Sequence, residues 1–211
     1  MHNLVKNLTE IKNKINKNIK IIAVSKTFGT ERIIPLLEHG HDHFGENKVQ
    51  EAAKKWPDLK EKYPNINLHL IGKLQTNKVR LALSIFDYIH SVDSEKLAKK
   101  IYDEQINQKK EIKIFIQVNI GEEDQKSGID KNKLRSLFDY CKSLKLNVIG
   151  LMCIPPISIN PEKFFKECSN LNNDLNLQEL SMGMSSDYLV ATSTGATFVR
   201  IGSNIFGTRN V

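Results

Sequence analysis

The residue with the clearest potential for covalent chemistry is Lys26, which closely follows the apolar run Ile-Ile-Ala-Val at 21–24. A run of this length and composition predicts a buried strand, so the lysine is expected at the end of that strand. A lysine there is usually a solvated surface charge. If partial desolvation or a nearby cation lowers its pKa, however, the amine becomes a nucleophile for a carbonyl group.

Two segments late in the chain have the composition of an anion site: Ser-Met-Gly-Met-Ser-Ser at 181–186 and Arg-Ile-Gly-Ser-Asn at 200–204. Glycines allow backbone N–H groups to approach an anion, hydroxyl groups donate hydrogen bonds, and the start of a following helix adds its dipole. The combination suits a phosphate monoester.

The elements that must position these groups alternate along the chain, with no linker or change of composition, which predicts one domain over 1–211. Strands are predicted at 21–24, 41–44, 68–71, 88–90, 112–118, 148–152, 180–182 and 197–201, and helices at 4–18, 30–37, 48–56, 76–83, 93–105, 130–143 and 161–171, with a helical turn from Ser185. Several strands are apolar at successive positions, as in sheets buried on both faces. Eight such units most simply close into a TIM-type (β/α)8 barrel with an extra N-terminal helix, and a doubly wound open sheet is the alternative.

A barrel would bring the two candidate regions together. Active sites of such barrels lie at the C-terminal ends of the strands, and phosphate groups are commonly bound by the loops after strands seven and eight. Lys26 then faces the two serine- and glycine-containing segments across the mouth of the barrel. This is the layout that a pyridoxal phosphate Schiff base requires, because the amine must reach the aldehyde while the phosphate is held across the ring.

Six blocks of the sequence resemble the signature blocks of the pyridoxal phosphate homeostasis proteins, which share the barrel domain of alanine racemase. The blocks are AVSKT at 23–27, FGENKVQE at 44–51, HLIGKLQTNK at 69–78, GLM at 150–152 followed by Pro155-Pro156, LSMGMSSD at 180–187 and VRIGSNIFG at 199–207. They occur in the family's order and extend over 21–207, so together they are far more specific than any one block.

The resemblance implies a role for eight residues in binding the cofactor pyridoxal 5′-phosphate (PLP), and implies no catalytic or metal-ligating residue. These residues are Lys26, Asn47, Met152, Ser185, Ser186, Arg200, Gly202 and Ser203. Lys26 matches the lysine of the internal aldimine, and Arg200 matches the arginine that faces the pyridine nitrogen. The serines and Gly202 match the phosphate loops, whereas Asn47 is expected to line the pocket and Met152 to pack near the ring.

Two residues depart from the family pattern. Ser203 stands where threonine is common, which preserves a hydroxyl donor, and Leu70 stands where phenylalanine is common, which changes only packing. Arg200 bears on function more directly. A permanent cation beside the pyridine nitrogen keeps that nitrogen unprotonated and weakens the cofactor as an electron sink.

The function that the resemblance implies is intracellular PLP (vitamin B6) homeostasis: the protein holds PLP as a lysine aldimine, passes it to PLP-dependent apoenzymes and has no reaction of its own. A monomer is expected. The alternative is an amino-acid racemase, which needs a base on each face of the substrate α-carbon. In the racemases the second base is a tyrosine from an additional β domain, and the sequence ends four residues after Gly207.

Two further functions are weaker alternatives. A phosphosugar enzyme with a barrel fold would need a carboxylate base at a strand end, and Glu46 is the only good candidate. A nucleic-acid-binding module would need clustered basic residues with interleaved aromatics. The net charge is +7, but the lysine pairs, such as Lys54-Lys55 and Lys99-Lys100, are spread along the chain and aromatics are only 7%.

Composition limits the setting of the protein. No apolar run approaches the roughly 18 residues that span a bilayer, and the first twenty residues lack the apolar core of a signal peptide, so a cytoplasmic location is expected. Cys141, Cys153 and Cys168 are unclustered, which argues against disulfides and a zinc site.

Five of the histidines are interpreted as structural residues without a role in metal binding. His39, His41 and His43 are interpreted as loop and strand residues, because no carboxylate or cysteine cluster joins them at a metal spacing. His69 and His90 fall in or near strands; satisfied core histidines are the commoner case, and lining of the pocket is the alternative. Trp56 is interpreted as a helix-packing residue.

Overall fold

The eight strands form where the sequence places short apolar runs between amphipathic helices. In the computed structural model, which describes residues 3–123, 125–157 and 159–207, they are β1 (Lys20–Val24), β2 (His43–Glu46), β3 (Asn67–Leu70), β4 (Tyr88–Val92), β5 (Lys113–Val118), β6 (Asn147–Cys153), β7 (Glu179–Met184) and β8 (Phe198–Ile201). All neighbouring pairs are parallel, and β1 pairs with β8 as well as with β2, so the sheet closes into a barrel in chain order. The barrel prediction is confirmed, and the open sheet is wrong.

Helices surround the barrel and connect its strands. They are α1 (Asn3–Lys12), α2 (Thr30–Glu38), α3 (Val49–Lys62), α4 (Val79–Ile85), α5 (Glu95–Gln108), α6 (Leu134–Ser143), α7 (Pro161–Asp174), α8 (Tyr188–Ser193) and α9 (Ser203–Phe206). Short 3₁₀ turns, Thr76–Lys78 and Lys131–Lys133, precede α4 and α6. The extra N-terminal helix is α1, which lies against α2 and α9.

Two apolar clusters stabilise this arrangement. The larger one fills the space between the sheet and the helices, where outward-facing strand residues meet the buried stripes of the helices. The smaller one fills the inside of the barrel and consists of Ile22, Val24, Tyr88, Phe115, Met152 and Phe198. Because the strands are buried on both faces, several of them, such as β1 and β5, have nearly continuous apolar sequences, as predicted.

Some boundaries differ from the predictions for physical reasons. The helix predicted at 48–56 continues to Lys62 through Pro57, because Trp56 and Leu59 keep its buried stripe against the barrel. The helix predicted at 4–18 ends at Lys12, and β2 begins at His43 instead of at position 41. The helical turn predicted from Ser185 begins only at Tyr188, and α9 was not predicted.

Candidate functional site

A cavity of about 530 Å³ opens at the C-terminal ends of the strands. Its lining consists of Val24, Lys26, Phe28, Asn47, Ile71, Ile154, Met184, Ser185, Arg200, Gly202, Ser203 and Gly207. Six of the eight residues singled out in the sequence therefore share one cavity, although they come from the turns after β1, β2 and β7, from β8 itself and from the turn that follows it. This volume lies in the range of ordinary small-molecule sites.

The other two predicted residues lie outside the lining. Met152 is fully buried in the cluster inside the barrel, where it packs with Phe115 and Phe198 below the cavity, and Ile154, two residues further along the chain, reaches the lining instead. Side chains alternate along a strand, so Met152 and Ile154 share the inner face at different depths. Ser186 is exposed on the turn after β7, beside the lining residue Ser185.

Lys26 lies in a tight turn directly after β1. Its side chain is half-buried and lines the cavity, and the next residue, Thr27, has a φ of 70° in the left-handed region. That conformation is unfavourable for a β-branched residue and persists only where surrounding contacts hold it. The turn is therefore held in place by contacts outside itself.

The contacts that hold the turn come from α3. Lys55 Nζ donates to the carbonyl oxygens of Ser25 and Phe28, both at 3.1 Å, so it joins the two ends of the turn that carries Lys26. Glu51 Oε1 accepts from the backbone N–H of Thr27 at 2.5 Å and from Lys55 at 3.0 Å. This role of Lys55 was not predicted from the sequence, although its spacing of four residues from Glu51 on a helix is a usable signal for an ion pair.

Glu46 completes this ionic group and does not enter the cavity. Its Oε1 lies 2.7 Å from Lys55 Nζ and accepts from Ser25 Oγ at 2.7 Å and from Trp56 Nε1 at 3.1 Å. Burial raises the pKa of the Glu46 carboxyl, and the three partners act in the opposite direction. Because Glu46 faces α3, it is a poor base for a substrate bound in the cavity. The alternative of a phosphosugar enzyme therefore loses its candidate for the carboxylate base.

Asn47 reaches the cavity because its backbone lies against the end of β3. A Cβ atom on Gly72 would lie 2.3 Å from the Asn47 carbonyl oxygen, so only glycine allows this approach. The Gly72 carbonyl accepts from Ser91 Oγ at 2.7 Å, which fixes the same turn from the β4 side.

The turns after β7 and β8 form a set of polar donors. Ser185 Oγ accepts from the backbone N–H groups of Gly202 at 3.3 Å and Asn204 at 3.4 Å, so a hydroxyl oxygen occupies the position between two N–H donors. Asn204 Nδ2 donates to the Ser185 carbonyl at 2.9 Å and joins the two turns. Such a pair of amides with hydroxyls beside it is suited to an anion.

Arg200 reaches the floor of the cavity from inside the barrel and is only 4% exposed. Its Nη1 donates to the carbonyl oxygen and to Oγ of Ser181, both at 2.7 Å, and its Nη2 donates to the Cys153 carbonyl at 3.0 Å. Burial lowers the pKa of Arg200 from a value so high that the group remains cationic.

The hydrogen bonds that the histidines make inside the barrel were not predicted from the sequence. His69 and His90 are fully buried inside the barrel and absent from the lining of the cavity. They are core histidines whose ring nitrogens have hydrogen-bond partners, as predicted. His69 and His90 bond to each other, and His90 also bonds to Ser181. Polar residues at inward positions of neighbouring strands were the available signal. Trp56, on α3, is buried against Phe44 of β2 and is a helix-packing residue as predicted. Its Nε1 also donates to Glu46.

The described part of the chain provides little evidence for a metal site, a disulfide bond or a membrane-spanning helix. Among residues 3–123, 125–157 and 159–207, no group of three or more His, Cys, Asp or Glu side chains is arranged to hold a metal ion. The three cysteines are buried free thiols. The helices in these same ranges are all too short or too polar to cross a membrane.

A closed parallel barrel with a lysine after β1 and serine- and glycine-containing turns after β7 and β8 has the features of a barrel of the alanine racemase type. The model of the family described as "Alanine racemase, N-terminal domain" matches residues 1–210. An alanine racemase from Clostridium difficile has the same fold, with a TM-score of 0.80, 16% identity and coverage of 100% of this chain and 58% of the racemase.

Within this class, the chain belongs to the family of the pyridoxal phosphate homeostasis proteins. It is 39% identical over 200 residues to the protein of that name from Aquifex aeolicus, an alignment that covers 90% of this chain and 87% of the relative. PipY of Synechococcus elongatus, solved without PLP, is 34% identical with a TM-score of 0.91, and the match covers 97% of this chain and all of PipY. A second PipY structure contains bound PLP.

Proposed function

We propose that this protein binds PLP in the cavity at the C-terminal end of the barrel and holds it as a Schiff base on Lys26. The observation that carries the proposal is that one cavity is lined by a lysine, by the serines and glycine of the turns after β7 and β8, and by a buried arginine. Family membership and the PLP bound to PipY support the same ligand.

The residues present fit each part of PLP. Gly202 and Asn204 N–H groups, with the hydroxyls of Ser185 and Ser203, suit the phosphate, and exposed Ser186 is an additional donor at its edge. Arg200 suits the ring nitrogen as a hydrogen-bond donor. Asn47 and the apolar side chains of Ile71 and Ile154 suit the ring, and Met152 supports this wall from below. When bound, PLP supplies an aldehyde for amines and a ring that accepts electrons.

The protein is a holder and donor of PLP, not an enzyme with its own reaction. Racemisation needs an acid–base group on each face of the substrate carbon, and therefore one besides the lysine. Among the lining residues that the structure describes, the remaining polar groups are an amide, two hydroxyls and a permanent cation. Relatives named for homeostasis support the same assignment. PLP-dependent apoenzymes as recipients, a monomeric state and a cytoplasmic location stay predictions.

Borohydride reduction of the PLP-loaded protein, followed by peptide mapping, tests the proposal. A pyridoxyl group is expected on Lys26 and on no other lysine. Lys26→Ala should eliminate the adduct and keep the fold, whereas the matched variant Lys73→Ala, at an exposed strand-end lysine outside the cavity, should retain it. An adduct elsewhere, or none in the unaltered protein, would contradict the proposal.

The alternative of a racemase is tested by isotope exchange. PLP-loaded protein incubated with L-alanine in D2O should incorporate no α-deuterium beyond free PLP at the same concentration. Exchange that depends on Lys26 and is accompanied by formation of D-alanine would favour the racemase.

A further inference from the structure

A continuous chain of hydrogen bonds runs through the inside of the barrel, from Arg200 to the opposite end. Arg200 Nη1 lies 2.7 Å from Ser181 Oγ, which lies 2.8 Å from His90 Nδ1. His90 Nε2 lies 2.9 Å from His69 Nδ1, and His69 Nε2 lies 2.8 Å from His43 Nδ1. His43 begins β2, so the chain connects the floor of the cavity with the amino ends of the strands.

The surroundings make this chain dry and rigid. Ser181, His90 and His69 have no exposed surface, and His69 stacks on Tyr88 with ring centroids 4.1 Å apart. His90 packs against Phe115 at 4.3 Å. Burial is the main cause that lowers the pKa of both His69 and His90, and the neighbouring histidines and Arg200 act in the same direction. Both imidazoles are therefore neutral at pH 7, and each carries one N–H.

The arginine fixes the direction of the chain. A guanidinium only donates, so Ser181 Oγ accepts from Arg200, and the hydroxyl hydrogen is then directed to His90 Nδ1. Within the described residues, Arg200 and His90 are the hydrogen-bond partners of Ser181 Oγ. His90 must then carry its hydrogen on Nε2 and donate to His69, which likewise donates from Nε2 to His43. Every member donates away from the cavity.

The same arrangement fixes the arginine. A guanidinium has five N–H groups, and three of those of Arg200 donate to Ser181 and to the Cys153 carbonyl. A hydroxyl whose hydrogen is committed to His90 presents its lone pairs to the arginine. If His90 Nδ1 carried a hydrogen and donated to Ser181 Oγ, the hydroxyl hydrogen of Ser181 would have to point away from His90. The hydrogen bond from Arg200 to Ser181 Oγ would then weaken.

We propose that Ser181, His90, His69 and His43 are positioning residues, which act as a one-directional hydrogen-bonded chain to hold Arg200 against the ring nitrogen of PLP. The inference rests on the proposed PLP site. Its first part, the direction of the chain, is a property of the protein without cofactor and can be tested separately. Its second part concerns the protonation of the cofactor ring.

Nitrogen-15 NMR of the imidazole rings in cofactor-free protein tests the direction. At pH 7.5, His43, His69 and His90 are expected as neutral Nε2–H tautomers. Arg200→Met removes the obligate donor and should produce Nδ1–H or exchange-averaged signals at His90 and His69, although neither residue is altered. An Nδ1–H tautomer at His69 or His90 in the unaltered protein, or signals unaffected by Arg200→Met in a folded variant, would overturn the inference.

The second test uses PLP labelled with nitrogen-15 at the ring nitrogen. We expect this nitrogen to remain unprotonated from pH 6 to 9 in the unaltered protein and in His90→Gln, whose amide can accept from Ser181 and donate to His69. In His90→Phe and Ser181→Ala its pKa should rise by about one unit, a tenfold change in proton affinity. If His90→Phe does not fold, Ser181→Ala decides; its effect should be the smaller one, because the Ser181 carbonyl still accepts from Arg200.

Borohydride mapping of the same samples separates the two proposals. An adduct on Lys26 with an unchanged ring nitrogen in Ser181→Ala would refute the positioning role and leave the proposed function intact. Absence of any adduct in the unaltered protein would refute the proposed function, and the imidazole spectra would still decide the direction of the chain.

Discussion

Two sides of the cavity are built in opposite ways: the turn that carries Lys26, called the Lys26 wall, and the floor formed by Arg200 and the residues that hold it inside the barrel, called the interior wall. Lys26 lies in a half-buried turn that is held from outside the barrel by the charged side chains of Lys55, Glu46 and Glu51. Arg200 is almost fully buried and is held from inside the barrel by neutral acceptors on Ser181 and Cys153. One wall uses ions to hold a polar turn, whereas the other uses neutral groups to hold an ion.

The difference follows from what each group has to do in the proposed function. A lysine that forms and releases a covalent bond to its ligand needs access to solvent and freedom of its side chain. A cation that only sets the protonation of a ring must not move, because its effect depends on direct contact. Placing the fixed group in the core and the reactive group on a turn meets both requirements.

The largest effect is expected from breaking the ionic support of the Lys26 wall. Lys55→Met leaves the Glu46 carboxylate buried without its cation and should lower the free energy of unfolding by about 3 kcal/mol at pH 8. The loss should be smaller at pH 5, because Glu46 can then take up a proton at little cost. Urea denaturation at the two pH values measures this.

A double-mutant cycle provides the control for that prediction. Glu46→Gln combined with Lys55→Met should be less destabilised than the sum of the single variants. Additive losses would mean that the two charges do not interact, and that the turn is held by the carbonyl contacts of Lys55 alone.

The interior wall should be sensitive to acid. Burial lowers the pKa of both His69 and His90 inside the barrel. Outside the barrel, where His41 contacts Phe44, burial, the cation of Lys12 and His43 lower the pKa of His41 to about 3. The unfolded histidines titrate near 6.5, so below that pH the unfolded chain binds up to about one more proton per histidine than the folded chain. Stability is therefore complete above pH 6.5 and is lost as the pH falls.

Denaturation curves between pH 7 and 4.5 measure that slope. His69→Gln should reduce the slope by about one proton, whereas the matched variant His39→Gln at an exposed position should not. An unchanged slope in His69→Gln would show that the interior wall is not the acid-sensitive part.

A smaller effect is expected where the serine- and glycine-containing turns after β7 and β8 meet the cavity. Gly202 has a φ of −110°, and a Cβ atom there would come no closer than 3.6 Å to Val24, so Gly202→Ala should change stability by less than about 0.5 kcal/mol. The methyl group would occupy cavity space beside the proposed phosphate position. We expect the Kd for PLP, measured by titration, to rise roughly tenfold; unchanged affinity would argue against that position.

The smallest effect concerns the strained residue next to Lys26. Thr27→Gly should raise the free energy of unfolding by about 0.5 kcal/mol, because glycine adopts a φ of 70° without steric cost, partly offset by its greater freedom in the unfolded chain. Thr27→Ala, which keeps a Cβ at this position, is the control in the same denaturation series. A loss of stability in Thr27→Gly would mean that the threonine side chain supports the turn.

Much of the cavity was predictable from the sequence because its residues follow the strands directly. Lys26, Arg200 and Gly202 lie at or just beyond strand ends, and parallel strands in a barrel deliver such positions to one mouth. Met152 lies below the lining of the cavity, at a depth that a continuous apolar run does not reveal. The supporting role of Lys55 was missed because a helix lysine is ordinarily solvated.

The sequence alone determined the alternation of eight strands with helices, the family blocks and the residues at the mouth of the barrel, since these are local or near-local properties of the chain. The tertiary structure decided which charges hold the Lys26 turn and which polar residues meet inside the barrel. His43, His69, His90 and Ser181 come from four strands and are up to 138 positions apart, the separation of 43 and 181. Pairing of the neighbouring strands β2, β3 and β4 brings the three histidines together, whereas only closure of the sheet brings Ser181 on β7 within hydrogen-bond distance of His90 on β4. A contact between strands that are not neighbours leaves no local pattern in the sequence.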